Sequence, residues 1–273
     1  MKTLIALLLL TAFVFADNNY GDLVYSQDTT IESYFYNEKG GKIIVNNGVR
    51  VIYNTAVYNR DGAYFENNGE ITNKDNDGIH FSNNSGATFI NNGKIKVVQF
   101  SNRGTATFYS DASSSSYAGM SGNFRNVGGG TFYIIGATLT GDFEVDDSFY
   151  WNPPATYPTN TLIFGICDLR DSSKCGTKMG QINGDFTNKS KNSVVNVNIA
   201  NMVYGQKYKI ITGNITGLDS VSFVGANLDS VNTYYEKGEV WVEQKSTEPE
   251  KPNPEKPNPD NPNPPPTSLM RHS

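Results

Sequence analysis

One pair of acidic residues has the type and spacing to carry out chemistry. Asp75 and Asp77 lie in residues 73–78, which read Asn-Lys-Asp-Asn-Asp-Gly. Two carboxylates this close could bind calcium or act as general acid and base. The segment does not match an EF-hand loop, because Asn84 stands where the closing Glu belongs. The turn preference of Asp-Gly favours a solvated turn over a reactive site.

The other titratable side chains predict neither a catalytic triad nor a metal centre. Asp146 and Asp147 are adjacent, so they would point to opposite sides of a strand, and a solvated turn is the favoured interpretation. The sequence has only two histidines, His80 and His272, and the second is close to the C-terminus. Nucleophilic catalysis needs a placed base, and neither position predicts one. We expect no cofactor.

The two cysteines, Cys167 and Cys175, form an even pair eight positions apart. An even number of cysteines in an exported chain favours a disulfide, with two unpaired thiols as the alternative. Two cysteines alone cannot build a structural zinc site.

A repeat of an apolar residue, any residue and then Asn surrounds the acidic pair Asp75 and Asp77 and would position it. The repeat forms two interleaved series, and the second trails the first by eight or nine residues. The first series contains Asn37, Asn59, Asn83, Asn102 and Asn126. The second contains Asn46, Asn67 and Asn91, and Ser110 falls where its next member should be. Periods of 20 to 50 residues indicate solenoids or arrays of repeats.

Each period holds two or three strand-like runs and no helical stretch, which predicts one coil of a β-solenoid. The fold class is therefore all-β, a right-handed parallel β-helix with apolar side chains inside. Asparagines at the same corner of successive coils would form a ladder of side-chain amides. Asn also tolerates the left-handed backbone of tight corners, as does Gly at positions 48, 69 and 93. Asn83, Asn188 and Asn214 also begin Asn-x-Ser/Thr sequences, which are glycosylation acceptors in eukaryotic exported proteins.

The ends of the chain differ from this middle part. Residues 1–16 have a charged start, an apolar run and a small-residue boundary, which predicts a cleaved signal peptide. Regular coils are expected over residues 17–150. An irregular solenoid end with a closing hairpin follows over residues 151–245, after a Trp- and Pro-containing segment at the boundary. Residues 246–273 form a proline-rich tail, expected to be a disordered, extended stalk.

The closing segment carries a family resemblance. Residues 205–211 read Gly-Gln-Lys-Tyr-Lys-Ile-Ile. With the Asn-rich coils before it, this segment resembles the C-terminal end of autotransporter passenger domains, and the coils are similar to filamentous-haemagglutinin β-helices. The resemblance implies a β-helix displayed at a cell surface. Too little chain follows Val242 for the outer-membrane barrel of an autotransporter. The chain would then be a passenger without its barrel, held by a separate outer-membrane or cell-wall anchor, or it would share only the solenoid with that family.

The expected function is therefore non-enzymatic. The chain would be secreted or held at a cell surface, where it binds a glycan, a protein or the matrix as an adhesin. The formal net charge of −5, with no basic block, excludes a nucleic-acid partner. The alternative is a polysaccharide-acting β-helix enzyme, a lyase or hydrolase, that uses Asp75 and Asp77.

Overall fold

The computed structural model describes residues 17–84, 86–109, 120–147, 158–225 and 231–245. The predicted signal peptide, the proline-rich tail and the predicted domain boundary near residue 150 lie outside these ranges. The all-β prediction is confirmed, because the described residues form strands and contain no α-helix. One 3-10 turn is present at Leu218–Ser220. No described helix is long and apolar enough to cross a membrane.

The strands form two large sheets and one hairpin. The larger sheet contains β1 (Asp17–Asn19), β3 (Thr29–Ile31), β4 (Phe35–Asn37), β6 (Arg50–Tyr53), β7 (Val57–Asn59), β9 (Glu70–Thr72), β10 (Ile79–Asn83), β12 (Lys94–Asn102), β14 (Met120–Val127), β16 (Thr138–Thr140), β17 (Phe143–Asp146), β21 (Gln181–Asn183), β22 (Phe186–Asn188), β24 (Tyr208–Thr212), β25 (Ile215–Thr216), β27 (Val231–Glu236) and β28 (Glu239–Gln244). The second sheet contains β2 (Asp22–Tyr25), β5 (Lys42–Val45), β8 (Tyr64–Asn67), β11 (Thr88–Asn91), β13 (Thr105–Tyr109), β15 (Thr131–Ile135), β18 (Asn160–Gly165), β23 (Ser193–Asn198) and β26 (Val221–Gly225). The hairpin joins β19 (Cys167–Asp168) to β20 (Asp171–Cys175).

Strands pair in parallel with the strand one period later. In the second sheet β2, β5, β8, β11 and β13 are successive neighbours. In the larger sheet β4 pairs with β7, and β3 pairs with β6. The chain therefore visits three strand positions in each coil, an arrangement compatible with the predicted β-solenoid. At the C-terminal end β28 pairs antiparallel with both β24 and β27.

The core is filled by stacked aromatic rings, because alternate residues of each short strand face inward. Phe81, Phe100 and Phe124 occupy the same register position in successive coils, and their side chains are buried. The Phe81 and Phe100 rings stack with centroids 5.2 Å apart. Each buried ring contributes about 1.5–3 kcal/mol, so the repeated Phe positions hold the coils together.

The glycines after the second asparagine series have two different roles. Gly48 adopts a φ of 78°, the left-handed conformation predicted for it. At Gly69 a Cβ would lie 2.1 Å from the Val49 carbonyl oxygen, and at Gly93 it would lie 2.1 Å from the Gly69 carbonyl oxygen. Neither Gly69 nor Gly93 has a positive φ. The left-handed prediction is therefore wrong for these two, which are required because successive turns approach each other closely.

Candidate functional site: an outward groove along the coils

The acidic pair of residues 73–78 lies in an exposed turn between β9 and β10, where Asp75 and Asp77 are both exposed. The Asn73 amide donates to the Asp77 carboxylate, and the Asp77 backbone N–H donates back to Asn73 Oδ1 at 3.0 Å. Asp77 is thus part of the hydrogen bonding that shapes the turn. Within the described ranges, no group of three or more His, Cys, Asp or Glu side chains could hold a metal ion.

The second acidic pair is buried, so the predicted solvated turn is wrong there. Asp146 is 7% exposed and forms an ion pair with Arg125 at 3.1 Å. Asp147 is 8% exposed and accepts hydrogen bonds from Asn160 Nδ2 at 3.0 Å and Ser190 Oγ at 2.8 Å. These partners could not be predicted, because Ser190 is 43 residues from Asp147 along the chain. The pair stabilises a corner of the fold.

The structure brings the first asparagine series together at one buried corner. Each Nδ2 donates to the Oδ1 of the next coil, over a chain of contacts from Asn37 to Asn59 (2.7 Å), Asn83 (2.8 Å), Asn102 (2.9 Å) and Asn126 (3.0 Å). Asn19 precedes them, donating to Asn37 at 2.8 Å. Each interior amide also donates to a carbonyl of the next coil, as Asn59 does to Thr88 at 2.9 Å.

The second series is shorter than the sequence suggested. Asn67 donates to Asn91 at 2.7 Å. Asn46 does not belong to this series, because Val45 stands opposite Asn67 in the register and Asn46 lies one residue further on. In the next coil Phe108 stands opposite Asn91, and Ser110 lies outside the described residues.

An exposed groove runs along the outward side of the asparagine-bearing strands. The strand pattern places one outward residue between two inward residues of each coil and a second outward residue two positions before it. The inward residues are Phe and Asn in most coils, with Val57 in place of Phe in β7 and Val145 in place of Asn in β17. The nearer column contains Tyr36, Tyr58, Ser82, Ser101, Arg125, Glu144 and Thr187. The farther column contains Tyr34, Ala56, His80, Gln99, Asn123, Asp142 and Asp185. Seven strands about 4.8 Å apart make this groove about 29 Å long.

The N-terminal half of the groove is rich in aromatic side chains, and no Asp, Glu, Lys or Arg is among the residues that line its cavity. A cavity of about 340 Å³ is lined by residues that include Tyr34, Tyr58, His80 and Gln99. Tyr34 is 44% exposed. The Tyr36 and Tyr58 rings stack with centroids 4.9 Å apart and planes 12° from parallel. Partial burial, together with the neighbouring Tyr36, raises the pKa of Tyr58, so its hydroxyl stays a neutral hydrogen-bond donor and acceptor.

Charged side chains line the C-terminal half of the groove. A second cavity of about 430 Å³ shares Gln99 with the first and is lined by Arg125 and by three carboxylates, Asp142, Glu144 and Asp185. Arg125 pairs with Glu144 at 2.9 Å. Hydrogen bonds from the backbone and side chain of Asn214 lower the pKa of Asp185, which is therefore ionised at neutral pH. The two columns are aromatic at one end and mainly anionic at the other. At the aromatic end the guanidinium of Arg60, which is paired with Glu38, lies 4.5 Å from the centre of the Tyr36 ring.

A second polar cluster, missed by the sequence analysis, lies under the β19–β20 hairpin. The buried Asp168 accepts a hydrogen bond from the Tyr109 hydroxyl and another from Arg170 Nε at 2.9 Å. The Arg170 guanidinium also lies 3.4 Å from the centre of the Tyr133 ring and donates to Thr107 at 2.9 Å. These residues fasten the hairpin onto the outward side of the second sheet. The predicted disulfide between Cys167 and Cys175 is confirmed and closes the same hairpin.

This cluster predicts an acid-sensitive contribution to stability. Burial alone would raise the pKa of Asp168, but hydrogen bonds from Arg170 and Tyr109 lower it below its usual value. A group whose pKa is depressed by folding stabilises the folded state above its unfolded pKa, about 3.9, and loses that contribution as the pH falls further. We expect Asp168→Asn to flatten the loss of unfolding free energy between about pH 5 and pH 2.

Urea unfolding of Asp168→Asn and wild type across this range measures the difference. Asp75→Asn, the same change in an exposed turn, is the matched control. An acid dependence that Asp168→Asn and Asp75→Asn change equally would contradict the role assigned to the buried carboxylate. At the alkaline end, burial and the hydrogen bond to Asp168 raise the pKa of Tyr109. That contribution is present below the unfolded pKa of about 10 and is lost as the pH rises above it.

Comparison with known proteins adds no family to this description: no protein-family model, no curated protein and no solved structure matches the chain. The functional argument therefore proceeds from the groove itself.

Proposed function

We propose that this chain is an exported, non-enzymatic protein that binds a glycan along the outward groove, at a cell surface or in the extracellular matrix. The observation that supports it best is the half-buried Tyr36–Tyr58 stack beside the exposed Tyr34 and His80. Aromatic faces provide flat apolar surfaces against which the C–H face of a sugar ring can pack. The neighbouring Ser82, Gln99 and Ser101 supply donors and acceptors for hydroxyl groups.

The shape of the groove favours an extended ligand. Small-molecule sites are concave and bury most of their ligand, whereas this groove is shallow and follows seven strands. Its two columns repeat at the strand spacing, so a polymer lying along the axis would meet a new pair of side chains about every 4.8 Å. Because Asp142, Glu144 and Asp185 line the far half, we expect neutral or amino-bearing glycans to bind more tightly than acidic ones.

The finer fold assignment belongs to the same proposal. The coils wind into a right-handed parallel β-helix, since parallel strands in one sheet are joined right-handedly in about 98% of cases. The first sixteen residues direct export, and the proline-rich tail acts as a spacer between the coils and a separate cell-surface anchor. The coils and their closing hairpin resemble those of an autotransporter passenger.

Binding to a panel of immobilised neutral, amino-bearing and acidic glycans tests the proposal. We expect Tyr34→Ala and Tyr58→Ala each to weaken binding about fivefold to tenfold, because each removes an aromatic face worth about 1 kcal/mol. Tyr235→Ala is the matched control, since Tyr235 is 53% exposed but belongs to the closing hairpin β27–β28. No binding to any glycan, or equal losses in all three variants, would reject the groove as the site.

The same panel separates binding from catalysis. A non-enzymatic protein releases no new reducing or unsaturated ends from a glycan it binds. Release of such ends by wild type, lost in Asp75→Ala or Asp77→Ala, would instead establish the polysaccharide-acting enzyme as the function.

A further inference from the structure

Three asparagines of this chain begin Asn-x-Ser/Thr sequences: Asn83, Asn188 and Asn214. Attachment of an oligosaccharide requires that the side-chain Nδ2 of the folded product can carry a bulky polar group into solvent. An inward-pointing ladder predicts that Asn83 is the poorest acceptor of the three, but the sequence does not separate Asn188 from Asn214. The structure separates all three, because their side chains lie in different surroundings.

Two of the three acceptors are enclosed by the coils. Asn83 is fully buried, and its Nδ2 donates to Asn102 at 2.9 Å, Thr105 at 3.1 Å and Ala87 at 3.1 Å. Asn188 is 7% exposed, and its Nδ2 donates to Gly217 at 3.1 Å and Ser220 at 2.9 Å. A glycan on either nitrogen would occupy space filled by neighbouring coils and would replace hydrogens that those buried acceptors need.

Asn214 is exposed immediately before β25, and the Thr216 side chain of its sequence is exposed as well. Its Nδ2 donates to the two oxygens of Asp185, both at 3.1 Å, and Asp185 is itself exposed. The Asn side chain carries two hydrogens on Nδ2. Substitution of one by a sugar leaves the other free to keep a bond to Asp185, so the modification is compatible with the folded chain.

We propose that Asn214 is the glycosylation site of this chain in a eukaryotic secretory pathway and that Asn83 and Asn188 stay unmodified in the folded product. The donor is a lipid-diphosphate-linked oligosaccharide. A bond forms between Asn214 Nδ2 and C1 of the first sugar, the C1–O bond to the diphosphate breaks, and the Nδ2 proton is lost as the lipid diphosphate leaves. The inference rests on the export part of the proposed function.

The site has a consequence for the groove. Asn214 follows Asp185 in the farther outward column, one coil beyond the charged cavity, because the Phe186 N–H donates to the Asn214 carbonyl at 2.8 Å. An oligosaccharide there would extend from the C-terminal end of the groove, away from the aromatic half formed by Tyr34 and Tyr58.

Translation of the full chain with microsomal membranes tests the inference. Protection from added protease reports translocation, and a mobility shift removed by an N-glycan amidase reports modification. We expect one shift in wild type and in the matched variants Asn83→Gln and Asn188→Gln. We expect none in Asn214→Gln or Thr216→Ala. Mass spectrometry of the folded, secreted fraction then identifies the modified residue.

Export by residues 1–16 and modification at Asn214 can fail separately. A chain that stays accessible to protease contradicts export by residues 1–16, and replacing those residues with an established signal peptide then tests Asn214 alone. A protected chain without a shift, or a folded product modified at Asn83 or Asn188, overturns the inference.

Discussion

Asn83→Ala is expected to lower the free energy of unfolding by about 3 kcal/mol, the upper end of the cost of leaving a buried polar group unsatisfied. The substitution removes the acceptor of Asn59 Nδ2 and the donor to Asn102 Oδ1, so two buried amides lose a partner at once. It also removes the donor to the Thr105 carbonyl. Water cannot replace these bonds readily, because Asn59, Asn83 and Asn102 are fully buried.

Urea unfolding of Asn83→Ala measures this cost, and Asn123→Ala is its matched control. Asn123 lies in strand β14 but faces solvent, so the same chemical change should cost no more than about 0.5 kcal/mol there. A ladder also predicts coupling. The double variant Asn59→Ala/Asn83→Ala should lose about 1 kcal/mol less than the sum of the single losses, because the amide orphaned by one change is removed by the other. Strict additivity would contradict the ladder.

Local chemistry explains why the asparagine corner could be predicted and where the prediction failed. In the first series an apolar residue lies two positions before each Asn, a Tyr, Ser or Arg lies between them, and the spacing matches the register of β4, β7, β10, β12 and β14. In β5 three aliphatic residues, Ile43, Ile44 and Val45, precede Asn46, so the pattern permits two registers. The structure buries Ile43 and Val45. This choice moves Asn46 out of the column, since a slip of one residue exchanges the two faces of a strand.

The groove and the hairpin cluster could not be predicted, because their residues are distant in sequence. Tyr34, His80 and Gln99 become neighbours only when the coil lengths, which vary from 19 to 24 residues in the first asparagine series, are set by pairing. Tyr109 and Asp168 are 59 residues apart, and their contact depends on where the hairpin folds back. The repeat predicted the inward apolar and Asn positions of each coil, but it did not identify which outward residues meet.

The glycines show the same limit in a single residue type. A left-handed conformation is a local property, so its prediction for Gly48 is confirmed by a φ of 78°. The close approach at Gly69 is a property of two coils, because the atom that excludes a Cβ is the Val49 carbonyl oxygen of the preceding turn. A sequence predicts the backbone conformation of one residue more readily than the space left beside it by a neighbouring coil.

Removing the disulfide by the double substitution Cys167→Ala/Cys175→Ala is expected to lower the free energy of unfolding by roughly 2–3 kcal/mol. The bond closes a short loop, and a closed loop of this length reduces the entropy of the unfolded chain by about that amount. In the folded state Cys167 and Cys175 are opposite each other in the antiparallel hairpin. Urea unfolding of oxidised wild type and the double variant measures the loss, and thiol labelling checks that native wild type has no free thiol.

Hydrogen bonds from the hairpin to the second sheet hold it in place in addition to the disulfide, so the effects of removing the disulfide and of removing these hydrogen bonds should be coupled. Asp168 fixes the hairpin to Tyr109, and Arg170 fixes it to Thr107. With the disulfide present, Asp168→Asn leaves the hairpin closed; without it, the same change should also permit faster tryptic cleavage at the exposed Lys174. Lys178, which is exposed outside the disulfide loop, is the control site. If cleavage at Lys174 is equally fast in all four combinations, or the double cysteine variant is as stable as wild type, neither attachment holds the hairpin on the sheet.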